Sequence, residues 1–212
     1  RGAYNRMRLL DAEARARGVV CASAGNHAQG VALAGRRLGV RTVIVMPQTT
    51  PRIKVQAVAD LGGEIELAGD DFDAANAHAR ALAQQQGLVF VHPFDDPDVI
   101  AGQGTVGMEI LRQRPGDDLD AIFLPIGGGG LAAGVAAYVK TLYPDVRIYG
   151  VEPRDAACMQ AAIAHGGPVR LARVGAFADG AAVREAGHET HRLLAQYLDG
   201  IVLVDTDEIC AA

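Results

Sequence analysis

Seven short β-branched runs alternate with longer, alanine-rich amphipathic segments along these 212 residues, and nothing else in the chain narrows its fold as much. Strands are predicted at Val19–Ala22, Thr42–Met46, Glu64–Leu67, Val89–Val91, Ala121–Ile126, Arg147–Val151 and Ile201–Val204. Helices are predicted at about 28–38, 51–61, 72–86, 97–113, 131–142, 156–165 and 188–198, each set off by Gly, Pro or Asp. This is the pattern of βαβ units, hence an α/β, doubly wound protein with parallel sheets. Residues 93–98, Pro-Phe-Asp-Asp-Pro-Asp, read as a hinge between lobes. Both ends read as cut helices, so the expected fold is incomplete at each end.

Charge and composition narrow the partners. The formal charge is −5 and the basic residues are scattered, which argues against a nucleic-acid surface or a polybasic membrane contact. No run of eighteen apolar residues occurs, so no membrane span is expected. Three cysteines, Cys21, Cys158 and Cys210, match no CxxC spacing and no complete disulfide framework, which points to the cytoplasm. A small molecule is the expected ligand.

Two strand-to-helix loops carry candidate chemistry. In Ile126-Gly127-Gly128-Gly129-Gly130-Leu131, four glycines expose backbone N–H groups at a helix N-terminus, a cradle for phosphate. No Lys-Ser/Thr pair follows, so it is not a Walker A loop. Packing alone is expected to ask for one or two of the glycines rather than four. In Ala22-Ser23-Ala24-Gly25-Asn26-His27, a hydroxyl, an amide and an imidazole stand at the carboxyl end of a strand, where α/β sheets bind ligands. The plain alternative makes Ser23 or Asn26 a helix N-cap.

Three further patterns compete. Gly102-Gln103-Gly104-Thr105-Val106-Gly107 satisfies G-x-G-x-x-G but lies in a helical stretch, so close helix packing is preferred. His188-Glu189-Thr190-His191 lacks the i, i+4 histidines of a metalloprotease helix and reads as a solvated face. A strand, Gly127-x-Gly129-x-x-Ala132, a helix and a strand ending in Glu152 form a Rossmann layout, with Glu152 placed for a ribose hydroxyl. That layout keeps open a nicotinamide-nucleotide-binding domain, and a catalytically silent phosphate-binding module is a further alternative.

Taken with Arg1–Asn5, Val45-Met46-Pro47, Ile53-Lys54, Ile100–Thr105, Val151-Glu152 and Phe177–Val183, these loops resemble the threonine dehydratase family of fold-type II pyridoxal-phosphate enzymes, its biosynthetic members above all. The resemblance runs nearly end to end. It implies a tryptophan synthase beta-like fold with a small lobe at 18–95, a large lobe formed by 1–17 and 96–212, and pyridoxal 5′-phosphate in the cleft between. It also implies that Gly127, Gly128, Gly129, Gly130 and Leu131 hold the phosphate, that Asn26 bonds the ring 3′-oxygen, and that Ser23, Ala24, Gly25 and His27 bind substrate. The activity implied is conversion of L-threonine to 2-oxobutanoate and ammonia in isoleucine synthesis, by a homo-oligomer, dimer or tetramer. A serine dehydratase or serine racemase-like enzyme is the alternative within the family.

The resemblance sets further expectations. The family's Schiff-base lysine would fall two residues before Arg1, so no catalytic lysine is assigned within the chain, and these residues alone are expected to be inactive. Of the two lysines present, Lys54 reads as a helix-surface residue and Lys140 as solvated. Ala24 stands where racemases of the family carry a serine, which favours elimination. Cys158 stands where their divalent-ion site has an aspartate six residues after Glu152, so no metal is expected.

Overall fold

The computed structural model describes residues 1–114, 118–175 and 177–212. The chain divides into two compact units, Arg1–Pro93 and Phe94–Ala212, each with its own parallel sheet.

The first unit runs α1 (Gly2–Arg8), α2 (Ala12–Arg17), β1 (Val19–Ala22), α3 (Asn26–Leu38), β2 (Thr42–Met46), α4 (Arg52–Ala59), β3 (Glu64–Leu67), α5 (Phe72–Gln86) and β4 (Val89–Phe90). Its strand order is β3-β2-β1-β4, all parallel, with Val19 opposite Thr42 and Val89. Every residue of β1 and β2 is buried, which is why those segments read as unbroken apolar runs. The edge strand β3 is half-exposed and carries Glu64 and Glu66, charges that discourage pairing with another sheet edge. Local signals fix the helices. Asp71 accepts the Ala74 N–H at the start of α5, and Gly87 ends that helix in the left-handed region at φ 66°. The sequence reading missed α2, whose six residues are too few to show a period; Asp11 caps it through the Ala14 N–H.

The second unit runs α6 (Pro97–Gln113), β5 (Ala121–Pro125), α7 (Gly130–Leu142), β6 (Arg147–Pro153), a 3₁₀ turn (Arg154–Ala156), α8 (Cys158–His165), a second 3₁₀ turn (Asp179–Ala181), α9 (His188–Tyr197), β7 (Gly200–Val204) and α10 (Thr206–Ala211). Its strand order is β5-β6-β7, again parallel. Ile122, Leu124, Ile126, Ile148, Met159 and Leu194 centre its core. The opposite face of β5 is open, with Phe123 61% exposed and stacked on Tyr149.

The G-x-G-x-x-G match serves helix packing, as preferred from its context. Gly102, Gly104 and Gly107 are buried within α6. A Cβ at Gly104 would lie 3.0 Å from the Gly134 carbonyl oxygen of α7, and one at Gly134 would lie 2.6 Å from the Gly104 nitrogen. The two helices meet backbone to backbone, and only small residues permit that.

Lys140 is not solvated. Its ammonium lies 2.8 Å from Asp199 and also donates to the Pro144 carbonyl, leaving the side chain 14% exposed. Asp199 in turn accepts the Ile148 N–H, so the pair ties the end of α7 to β6. Burial works to raise the Asp199 carboxyl, but Lys140 and the Ile148 N–H outweigh it and hold the group below its ordinary value. Lys54 lies half-buried on α4.

Candidate functional site

The first unit carries the loop at residues 23–27. Ser23 leaves β1 with its N–H donating to the Val45 carbonyl, and its hydroxyl then accepts the Gly25 N–H at 3.2 Å. The N-cap of α3 is Gly25, without a side-chain bond, so neither Ser23 nor Asn26 plays the capping role. Asn26 is exposed in the first turn, and among the described residues its side-chain amide makes no hydrogen bond. The His27 ring is tethered, with Nε2 3.0 Å from the carbonyl of Val91, the residue just past β4. Ser23, Ala24 and Gly25 are half-buried beside them.

The second unit carries the tetraglycine loop between β5 and α7. Each glycine has its own steric reason. A Cβ at Gly128 would enter the Phe94 ring, and one at Gly130 would come to 3.0 Å from the Phe94 Cα. At Gly127 it would meet the Ala181 Cα at 3.2 Å. Gly129 sits at φ 98°, where an L side chain is strained, with the Met159 methyl and Thr190 Cβ within 2.9 Å of a Cβ. Packing therefore accounts for all four glycines, not the one or two expected, and glycine count does not by itself separate a cradle from a tight turn.

The amides do separate them. Gly128, Gly129 and Gly130 are buried, yet among the described residues no acceptor meets the N–H of any residue from Gly127 to Leu131. Buried amides without partners are rare in folded proteins and cost about 1–3 kcal/mol each. Their clustering at the N-terminus of a thirteen-residue helix makes a site for a multiply charged oxyanion. The carbonyls of the same loop are satisfied: Cys158 Sγ donates to Gly127 O at 3.3 Å, and Thr190 Oγ1 donates to Gly128 O at 2.7 Å.

Behind the loop, Glu152 is fully buried and its two carboxylate oxygens accept the N–H groups of Met159 and Gln160, both at 2.8 Å. Glu152 thus caps α8, and the ribose contact of the Rossmann reading has no carboxylate to make it. Burial holds this carboxyl above its ordinary range, against the pull of the two amides. The Cys158 thiol is pushed up to about 12 by burial first and the Glu152 charge second, so it stands as a neutral donor. The His188–His191 segment opens α9 with His188 exposed and Glu189 paired to Arg192, but Thr190 between them is fully buried. Among the described residues no group of three or more His, Cys, Asp or Glu side chains converges as a metal site would require. No described helix is long and apolar enough to cross a membrane.

Parallel α/β units with a helix-opening loop of unpaired amides define an α/β protein of the class that binds ligands at the carboxyl ends of its strands. The chain belongs to the pyridoxal-phosphate dependent enzyme family, whose model matches residues 1–212. The biosynthetic, chloroplastic threonine dehydratase of Arabidopsis thaliana is 59% identical over 212 residues, all of this chain and 36% of that protein. The biosynthetic L-threonine dehydratase IlvA of Escherichia coli K12 is 55% identical over all of this chain and 41% of its own length. Among solved structures, the processed form of threonine deaminase isoform 2 from Solanum lycopersicum matches with a TM-score of 0.96 at 52% identity, covering 100% of this chain and 61% of that one. Maize serine racemase matches with a TM-score of 0.94 at 35% identity, covering 100% and 63%. The chain spans about two-fifths of the curated relatives' length. Pyridoxal 5′-phosphate is the family's cofactor, and five unpaired amides in one loop suit its phosphate.

Proposed function

We propose that this chain forms part of a pyridoxal-phosphate-dependent threonine dehydratase, which converts L-threonine to 2-oxobutanoate and ammonia for isoleucine synthesis. The observation that carries the reading is the row of amides from Gly127 to Leu131, without an acceptor among the described residues and buried at Gly128, Gly129 and Gly130. These N–H groups donate to the phosphate oxygens, and the dipole of α7 adds to the attraction. Asn26, exposed and unpaired among the described residues, donates its side-chain amide to the ring 3′-oxygen. The half-buried turn of Ser23, Ala24 and Gly25 receives the substrate carboxylate through hydroxyl and backbone N–H groups. His27 shapes that turn, since its ring is engaged with Val91. The bound cofactor supplies an electron sink for loss of the α-proton. Ala24 offers no proton donor, so expulsion of the β-hydroxyl is favoured over return of a proton to the opposite face.

The wider reading is of a homo-oligomer, dimer or tetramer, in the cytoplasm, with residues 18–95 as the small lobe and 1–17 joining 96–212 in the large one. Cys21, Cys158 and Cys210 are free thiols. The chloroplastic name belongs to the Arabidopsis relative. The test supplies the intact protein with pyridoxal phosphate and L-threonine and assays 2-oxobutanoate and ammonia, with L-serine and D-serine formation followed in parallel. Equal release of keto acid and ammonia from threonine supports the reading. Serine racemisation outpacing threonine elimination would replace it with the racemase alternative.

A further inference from the structure

The glycine loop does not aim its own amides. In a trans peptide the C=O and the following N–H point in opposite directions, and among the described residues no peptide bond is cis. Whatever grips the Gly127 and Gly128 carbonyls therefore sets the aim of the Gly128 and Gly129 N–H groups. The Gly128 carbonyl accepts Thr190 Oγ1 at 2.7 Å, a strong neutral hydrogen bond from a fully buried side chain, and only a long, weak bond of 3.5 Å from the Gly187 N–H beside it. The Gly127 carbonyl has the longer, weaker bond from the Cys158 thiol.

Thr190 is itself held in place. The Asp95 carboxylate accepts the N–H groups of His188, Glu189 and Thr190 at 3.0, 2.8 and 3.2 Å, closing the N-terminus of α9 from 93 to 95 residues away. Its neighbour Phe94 packs under Gly128 and Gly130, so adjacent residues fix both the floor of the loop and the helix that grips its carbonyl. This exceeds what helix capping requires, since one acceptor at an N-cap ordinarily serves one or two amides.

From this geometry we infer that Thr190, seated by Asp95, is a positioning residue for cofactor phosphate: it rotates the Gly128–Gly129 peptide so that the Gly129 N–H faces the phosphate oxygens. The inference rests on the proposed phosphate role of Gly127–Leu131. Thr190 is fully buried and acts through the Gly128–Gly129 peptide, so its effect is confined to the phosphate end of the ligand.

The experiment compares dissociation constants for pyridoxal phosphate and for pyridoxal, which lacks the phosphate, in the intact apoprotein and its Thr190→Val and Thr190→Ser variants. Valine keeps the shape of threonine and removes the hydroxyl; serine keeps the hydroxyl. In the wild type, a strong preference for pyridoxal phosphate is expected. Thr190→Val is expected to weaken pyridoxal phosphate about five- to tenfold, the worth of one buried hydrogen bond, with pyridoxal unchanged. Thr190→Ser is expected to restore the preference, and Asp95→Asn to reduce it by a smaller factor. Should Thr190→Val fail to fold, Thr190→Ala against Thr190→Ser makes the same comparison. An unchanged preference in the valine variant, an equal loss for both ligands, or an equal loss in the serine variant would overturn the inference. A wild type without preference for the phosphorylated ligand would instead remove the phosphate reading beneath it.

Discussion

Replacing Gly134 by alanine puts a methyl group where α6 and α7 touch through their backbones. The added Cβ would stand 2.6 Å from the Gly104 nitrogen and nearer still to the Ile100 carbonyl oxygen. Ordinary contact begins at 3.4 Å, so the helices must part by at least about 0.8 Å. Neither obstacle is a side chain that can rotate away. Val135, Ala136 and Val139, buried on the same helix, would lose contact as the pair opens. Overpacking of this kind costs about 3 kcal/mol, and exchanging glycine for alanine in a helix interior offsets about 1 kcal/mol of that. The net loss of about 2 kcal/mol corresponds to a midpoint lowered by about 4–8 °C in a chain of this length. Thermal unfolding followed by far-UV circular dichroism measures it, with Gly167→Ala as a control because nothing lies within 4 Å of a Cβ there. A Gly134→Ala variant as stable as the wild type would refute the backbone-to-backbone packing.

Other outcomes follow from single contacts. Asn26→Ala is expected to leave the unfolding free energy within about 0.5 kcal/mol of wild type, because the side chain is exposed, while weakening pyridoxal phosphate binding in a cofactor titration. Glu152→Gln replaces one of two buried acceptors with an NH₂ group facing an N–H, and is expected to cost about 1–3 kcal/mol in urea unfolding. The folded state raises the Glu152 pKa, so its native form binds the proton more tightly. The wild-type advantage over Gln is therefore largest in acid and shrinks as pH rises through that raised value. Asp199 has the opposite sign: its carboxyl is lowered from 3.8, so the stability lost in Asp199→Asn is present above that pH and vanishes as pH falls through the folded value. Urea midpoints at neutral pH and in acid test both signs.

Where local chemistry marks an element, sequence and structure agree to the residue. The strands Thr42–Met46 and Glu64–Leu67 and the helices Phe72–Gln86 and Pro97–Gln113 have the predicted limits, because Asp71, Asp96 and Pro97 announce helix starts, the buried β2 reads as an apolar run, and glycines stand just before and after the short β3 segment. Agreement loosens where the signal is weak. Helix α3 starts at Asn26 rather than 28, since Gly25 caps it without a side chain, and β6 extends to Pro153, two residues beyond the expected end. The two candidate loops were legible as loops because glycine and polar residues interrupt strand and helix patterns. Their supports were not. Phe94 and Asp95 lay in a presumed hinge, and Thr190 in a presumed solvated face; the contacts that give them meaning, Phe94 with Gly128, Asp95 with the start of α9 and Thr190 with Gly128, join residues far apart in the sequence. Lys140 was misjudged for the same reason, with Asp199 far along the chain. One local clue existed: a threonine amid the charged residues of α9, on the side that meets the core.

Gly127–Leu131 is the proposed seat of the cofactor phosphate. Labelling the intact protein with ¹⁵N-glycine and titrating it first with inorganic phosphate and then with pyridoxal phosphate observes those amides directly. Saturable shifts at Gly127, Gly128, Gly129 and Gly130, larger than at the remaining glycines and shared by both ligands, are the predicted result. Pyridoxal phosphate binding that leaves these four resonances unmoved would contradict it.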